Sequence, residues 1–571
     1  MTSVVETTEA AEVPSSDEAA PSRRRRWPKV DLATALQLVA LVPIAATLLL
    51  VRDSSKLQWF DYWAIAPRVI NPDGSLAASN LFSYHEGHIL AVPSVAYWLN
   101  YRLTSGLNTT LGLFVVGISV AQLFMLRRLL PRPATIGRWL FATAFVALSA
   151  LLFASQGAHN FSRAMSGTAW LLANTFVIGA LLVTVLLRER PWLGLLAAAP
   201  LAVLASLSYG TGLMVWPALL VVALVLRPPR SAPTLVLAGV SAVAVGWYFV
   251  AYDRPASQSS VGIDPVQIGR RTVQVLGSAL LPDGTGAVLA GALGVVLAVA
   301  LGLVALRADR RAAAPWLALA AYSMLAAAMI GVARGGITSA DIGTTSRYFS
   351  LSALLWSSVV GLAVVARPRD PRALAGVALA GLLGFVAGAP TVDAIRAAVH
   401  PQDELAIAMR LGVSQNYPYL FGYDRYRPLL EDLGHYPFSS DFDADCGRLG
   451  DDVGAEAERI PAGRVRGTAD AIAPGYGPDA VRLTGWVSSP DVPVRCILVV
   501  DQSDRVVGAG AYGVERADLM PAGVTPTGDF NIGFQAVAPA GSWTYGVVAE
   551  LEDGRLLELP EVLPSPVPPA S

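Results

Sequence analysis

Long apolar runs fill the first two thirds of the chain, and the remainder alternates on a short period. A helix needs about 20 mostly apolar residues to cross a bilayer core. By that measure about eleven segments read as membrane helices: 32–51, 110–126, 139–153, 168–187, 192–207, 213–226, 235–251, 288–306, 316–332, 350–365 and 374–387. Several are rich in Ala and Gly, which lets helices approach closely in lipid. The first run is too long for the core of a cleaved signal peptide and has no convincing cleavage site, so it is expected to remain as a helix.

The loops between these runs alternate in charge. One set is short and basic: Arg127, Arg128, Arg132 and Arg138; Arg188 and Arg190; Arg227 and Arg230; Arg307, Arg310 and Arg311; Arg367, Arg369 and Arg372. The other set is longer and less basic. Basic loops face the cytoplasm, so the N-terminus, with Arg23–Arg26, is expected inside the plasma membrane. An odd number of spans then puts everything after residue 390 outside. Residues 1–31 read as a disordered cytoplasmic tail, and residues 52–108 as a long first external loop within a membrane domain of residues 32–390.

Beyond residue 390 the texture changes. Residues 391–462 read as a mixed linker, with a helical stretch near 401–411 and an aromatic-rich segment at 417–426. Residues 463–560 hold short alternating runs, at 481–487, 496–500, 531–537 and 544–551, separated by turn signals such as Asp553-Gly554. That pattern predicts an external antiparallel β-sandwich, with residues 561–571 as a frayed Pro-rich end. The two cysteines, Cys446 and Cys496, both fall in this region. External compartments permit disulfides, so a bond between them is predicted.

Composition agrees with the pattern: 54% of residues are hydrophobic and 15% charged. The net charge of −1 is an average over separated clusters. The basic clusters sit at the ends of apolar runs rather than on folded faces, so no nucleic-acid partner is expected. There is no Gly-rich phosphate loop ahead of a Lys and no Cys/His set with metal-ligand spacing, so no metal and no resident cofactor are expected.

Chemistry concentrates at the external ends of the helices. The first loop holds Trp59-Phe60-Asp61-Tyr62-Trp63 and then Tyr84-His85-Glu86-Gly87-His88, just before an amphipathic stretch at 89–103. A carboxylate held at membrane level can act as general base on a hydroxyl. His-Glu-Gly-His has its histidines three apart and is not the zinc-protease motif. A second group is Arg334 with Ser346-Arg347-Tyr348, where arginine suits either a phosphate held bidentately or snorkelling to lipid headgroups. A long loop at 252–287, with Asp253, Arg254, Asp264, Arg270 and Arg271, reads either as a lid or binding segment or as a merely solvated loop. Trp486, Trp543 and Tyr545 are aromatic candidates for a stacking surface or for the core.

In order and pattern these residues resemble the bacterial multi-pass membrane glycosyltransferases of the GT-C fold, of actinobacterial type, which use polyprenyl-phosphate sugars. The resemblance covers roughly residues 32–390. It rests on the early Asp61, on His85-Glu86-Gly87-His88 leading into an amphipathic helix, on Gly-Leu-Met-Val-Trp-Pro at 212–217, on Gly331-Val-Ala-Arg334-Gly, and on Ser346-Arg347-Tyr348. A single Asp61 stands where a pair of acids is common, and Ile89 where the family element carries Arg. The resemblance implies an inverting sugar transfer, and the single acidic position favours a metal-independent one. Asp61 or Glu86 would be the catalytic base. His85, His88, Arg334, Arg347 and Tyr348 would bind substrate. The partners would be membrane lipid, a polyprenyl-linked sugar donor and a cell-envelope glycan or lipid acceptor. Two alternatives stand beside it: a transporter or flippase of lipid-linked saccharide, and a non-catalytic envelope scaffold.

Overall fold

The computed structural model describes residues 31–85, 87–251, 264–334, 342–368, 370–413, 420, 423–459, 466–475, 479–489, 491–516, 518–519, 530–541, 544–564 and 566. Arg23–Arg26, Glu86, Asp253, Arg254, Arg369 and Trp543 lie outside the described residues.

The N-terminal two thirds is a bundle of helices. In chain order they are α1 (Leu32–Arg52), α2 (Tyr62–Val69), α3 (Ala91–Thr104), α4 (Asn108–Leu129), α5 (Arg138–Leu152), α6 (Ala164–Leu186), α7 (Pro191–Ser206), α8 (Val215–Leu226) and α9 (Ala232–Ala251). Then come α10 (Pro265–Gly277), α11 (Gly284–Arg334), α12 (Phe349–Ala366) and α13 (Pro371–Val386). Among the described residues, seven helical segments are long and apolar enough to cross a membrane, and three shorter apolar helices accompany them. Each of the apolar runs read from the sequence falls on a helix.

α11 counts as one helix of 51 residues. Straight, it would extend roughly 75 Å, more than twice a bilayer core. It breaks at Asp309, whose backbone leaves the helical region (φ −154°, ψ 94°). The Asp309 carboxylate accepts from the Arg311 and Ala312 amides at 2.9 and 3.1 Å, as an N-cap does. The two halves fold back on each other, because Gly302 lies directly against Leu317. The first half shows how the bundle meets its surroundings. Ala290, Gly294, Ala298, Gly302 and Ala305 are buried. Leu289, Leu293, Val296, Val299 and Leu303 on the opposite face are exposed. Small residues inward and large apolar residues outward are what a helix bundle in lipid requires.

The two ends of the bundle differ. At one end the arginine loops gather: Arg311 lies 3.8 Å from Glu189, and Arg138 lies 2.9 Å from Asp31. The opposite end carries the 52–108 loop and the linker helices α14 (Ala389–Ala397), α15 (Val399–Leu411) and α16 (Tyr423–Asp432). The 52–108 loop includes a two-stranded hairpin of β1 (Tyr84–His85) and β2 (His88–Ile89).

The C-terminal domain corrects the expected sandwich. Its strands are β3 (Ala457–Arg459), β4 (Arg466–Pro474), β5 (Ala480–Ser488), β6 (Val494–Val500), β7 (Val506–Val514), β8 (Gly533–Pro539), β9 (Thr544–Leu551), β10 (Leu556–Glu558) and β11 (Leu563–Pro564). They form one hydrogen-bonded sheet in the order β3-β10-β9-β6-β7-β8-β5-β4, with β11 beside β9. The sheet curls until Leu559 lies against Gly467 near the opposite edge. Alternation reports that a face is buried but not by what; here the sheet buries its inner face against itself. Val481, Leu483, Ile497, Val499, Phe534, Tyr545 and Val547 fill the inside. Leu498, Val500 and Val548 point outward beneath the 446–457 segment, which Cys446–Cys496 ties down as predicted. The rest of the outer face, at β7 and β8, packs on α15. Tyr545 is therefore a core residue; Trp486 is half-buried.

Candidate functional site

The predicted site residues come from four separate segments, and each is placed by local structure. Phe60 is held at φ +50°, a left-handed backbone unusual for a bulky side chain. Asp61 follows it at the start of α2. The bland expectation for an Asp at this position is a helix cap, but its side chain makes no capping bond. Its carboxylate lines a cavity instead.

His85 and His88 sit directly opposite each other in the β1–β2 hairpin. Gly87, at φ +81°, turns the chain between them. Two histidines three apart are thus brought side by side by a tight turn, a geometry different from the one-turn spacing of a helical metal motif. Glu86 is not among the described residues, so its place in the site is not part of this geometry.

Arg334 ends α11, and Arg347 sits in a 3-10 turn, Ser346–Tyr348, that leads into α12. That turn is anchored from a polar segment between α5 and α6. Ser346 Oγ donates to the Gln156 carbonyl at 2.6 Å, and Asn160 Nδ2 donates to the Ser346 carbonyl at 3.3 Å. Asn108 joins the same junction, donating to the Ser55 and Ser162 carbonyls at 3.0 and 2.7 Å.

Asp61, His85, His88, Arg334 and Arg347 all line one cavity of about 550 Å³ at the end of the bundle away from the arginine loops. Tyr348 does not line it; it is 2% exposed, packs edge-on to Trp170 and lies under the Arg347 guanidinium. The same cavity holds residues the sequence reading missed. Arg163 stands 4.7 Å over the Trp59 ring and 5.6 Å from that of Phe60, and His159 is one turn before it. Tyr209 stacks between His88 and Trp170, with ring centroids 4.4 and 4.2 Å away. The signal for Arg163 was present: Ser-Gln-Gly-Ala-His-Asn-Phe-Ser-Arg at 155–163 is a polar interruption between two apolar runs.

No protein-family model, curated protein or solved structure matches this chain. Function is therefore read from the cavity. Among the described lining residues, three guanidiniums meet one carboxylate. Burial, reinforced by Arg334, His85 and Arg347, pushes the His88 imidazole down to about 4. His88 is thus neutral at neutral pH and offers a hydrogen bond, not a charge. Such a pocket favours a ligand with an anionic group at the arginines and a neutral, hydroxyl-bearing portion near Asp61. Leu90, Met165, Ala169 and Trp170 supply apolar wall, beside the hydroxyl-bearing Ser166, Thr345 and Ser346.

Proposed function

We propose that this chain is a membrane glycosyltransferase. It moves a sugar from a polyprenyl-phosphate donor to a cell-envelope glycan or lipid acceptor, on the face opposite its arginine-rich loops. The observation that carries this reading is the convergence of Asp61, Arg334 and Arg347 on one cavity at a helix-bundle end. Arg334 and Arg347 hold the donor's phosphate. Asp61 takes the proton from an acceptor hydroxyl as its oxygen attacks the anomeric carbon from the far side. The bond from that carbon to the phosphate oxygen breaks, and the lipid phosphate leaves with its charge held by the arginines. The products are a glycoside of inverted configuration and the lipid monophosphate. The orientation rests on the separation of basic loops from the cavity, and the Cys446–Cys496 disulfide suits an oxidising exterior.

The test uses purified full-length protein and a panel of radiolabelled polyprenyl-phosphate sugars with envelope acceptors. Wild type is expected to transfer sugar, and Asp61→Asn to lose on the order of a hundredfold or more while staying folded. Full activity in Asp61→Asn removes Asp61 as base and leaves Glu86→Gln as the decisive substitution. Absence of both transfer and donor binding in wild type would overturn the enzyme in favour of a flippase or scaffold.

A further inference from the structure

Behind Asp61 lies a buried tie to the far end of the chain. Tyr62, the next residue, is fully buried, and its hydroxyl lies 2.9 Å from His435 Nε2 across 373 residues of sequence. His435 is itself fully buried. Its Nδ1 lies 2.8 Å from the Tyr436 carbonyl oxygen, which can only accept. Nδ1 therefore carries the proton, Nε2 presents its lone pair, and Tyr62 is the donor. The ring stacks parallel to Tyr101 at 6.0 Å and stands edge-on to Trp63 at 5.6 Å.

The pocket that receives this imidazole is built for it. Gly106, at φ +77°, passes so close that a Cβ there would collide with the His435 ring at Nε2. No side chain fits position 106 on grounds of either conformation or room. The Tyr436 amide donates to the Ser105 carbonyl at 2.8 Å, and the Tyr101 hydroxyl donates to the Leu433 carbonyl at 3.2 Å. Gln58 closes the other side, its side-chain amide donating to the Gly106 carbonyl at 3.0 Å while its backbone carbonyl accepts from the Trp63 indole at 3.1 Å. The left-handed backbone at Phe60 lies inside this frame, and a conformation of that kind persists only where its surroundings over-determine it.

We infer that His435 is a positioning residue: through Tyr62 it fixes the segment Trp59-Phe60-Asp61 and so sets where the Asp61 carboxylate stands in the cavity. The linker that carries His435 thereby completes the site, although none of its described residues lines the cavity. The inference rests on the reading of Asp61 as the base of a sugar transfer.

Tyr62→Phe keeps the ring and removes only the donor. In purified full-length protein, assayed where the variant remains folded, it is expected to lower kcat on the order of ten- to a hundredfold, with donor KM changed less than about twofold. His435→Gln attacks the same bond from the other side, and the double variant is expected to be no worse than the poorer single one. Unchanged kcat per folded molecule in Tyr62→Phe, or losses that multiply in the double variant, overturn the inference. A readout independent of turnover separates this from failure of the glycosyltransferase reading. Labelling of Asp61 by a water-soluble carbodiimide, followed by mass spectrometry, is expected to change rate in Tyr62→Phe even when wild type transfers no sugar from the panel. An Asp61 labelling rate equal to wild type overturns the inference whatever the enzyme assay gives.

Discussion

The Glu404 carboxylate lies 2.9 Å from the Arg482 guanidinium, and this pair joins helix α15 to strand β5 of the curled sheet. The Glu404 side chain is fully buried and that of Arg482 is 29% exposed. A carboxylate taken wholly out of water needs a partner, and removing one member of a buried pair leaves an uncompensated charge. The interface is therefore specified by charge as well as by the apolar contact of α15 with β7 and β8.

Arg482→Ala is expected to destabilise this junction by about 3 kcal/mol. Glu404→Gln in the same background should recover part of the loss, because it removes the orphaned charge. Chemical denaturation in detergent measures both. Equal stability of Arg482→Ala and wild type would place the domain contact elsewhere.

Arg347→Lys keeps a positive charge but loses the planar fork that grips phosphate. Lower kcat/KM is expected, by about tenfold or more given about 1.5–3 kcal/mol for a charged hydrogen bond. Arg347→Ala should be worse. Steady-state kinetics with a single donor distinguishes this from a lipid-anchoring arginine, for which Lys would serve equally well.

Arg163 is expected to take part in anion binding from its place over Trp59. Arg163→Ala should weaken binding of the polyprenyl monophosphate product by about tenfold, on the order of one charge-assisted contact. Trp59→Leu, which removes the stacking face, should cause a smaller loss in the same direction. Calorimetric titration of the monophosphate into detergent-solubilised protein reads both.

Acid should destabilise the fold through His435. Burial lowers its imidazole from the ordinary 6.5 to about 4, opposed by its bond to the Tyr436 carbonyl. The unfolded chain then binds more protons than the folded one between these two values. Its contribution to stability is complete above pH 6.5 and is lost as pH falls toward 4. The dependence of unfolding free energy on pH should correspond to uptake of roughly one proton from this residue, and His435→Gln should remove that part of the slope.

Reduction of Cys446–Cys496, whose residues are 50 apart, is expected to destabilise the β-domain. The chain-entropy estimate for a loop of that size is about 4 kcal/mol. Thermal unfolding with and without reductant, or of the Cys446→Ser/Cys496→Ser pair, measures it. No change would mean that the 446–457 segment is held by its apolar contacts alone.

Much of this molecule was legible along the chain. Each apolar run became a helix, because a stretch of some twenty apolar residues satisfies its own backbone only by coiling. The basic loops at 188–190 and 307–311, read from the sequence as lying on one side, meet where Arg311 approaches Glu189. Asp61, His85, His88, Arg334 and Arg347 were visible as polar groups at helix ends, since such groups are rare against an apolar background. Cys446 and Cys496 paired as expected because only two cysteines are present.

What tertiary structure alone decided is which of these groups meet. Arg163 and Tyr209 joined the cavity, and Tyr348 turned away from it, through the packing of α6, α7 and α12, which no local pattern encodes. β5, β6, β8 and β9 were read as strands while β4 and β7 were not, and the closure of all of them into one curled sheet depends on which edges come together, since a period of two is the same for a sandwich and for a sheet folded on itself. His435 could not be found from sequence, because a lone histidine in a polar linker carries no sign that its ring will fill the space Gly106 leaves beside Tyr62. Local hydropathy sets the elements within one or two turns of chain, whereas a site assembled across hundreds of residues exists only once those elements have packed.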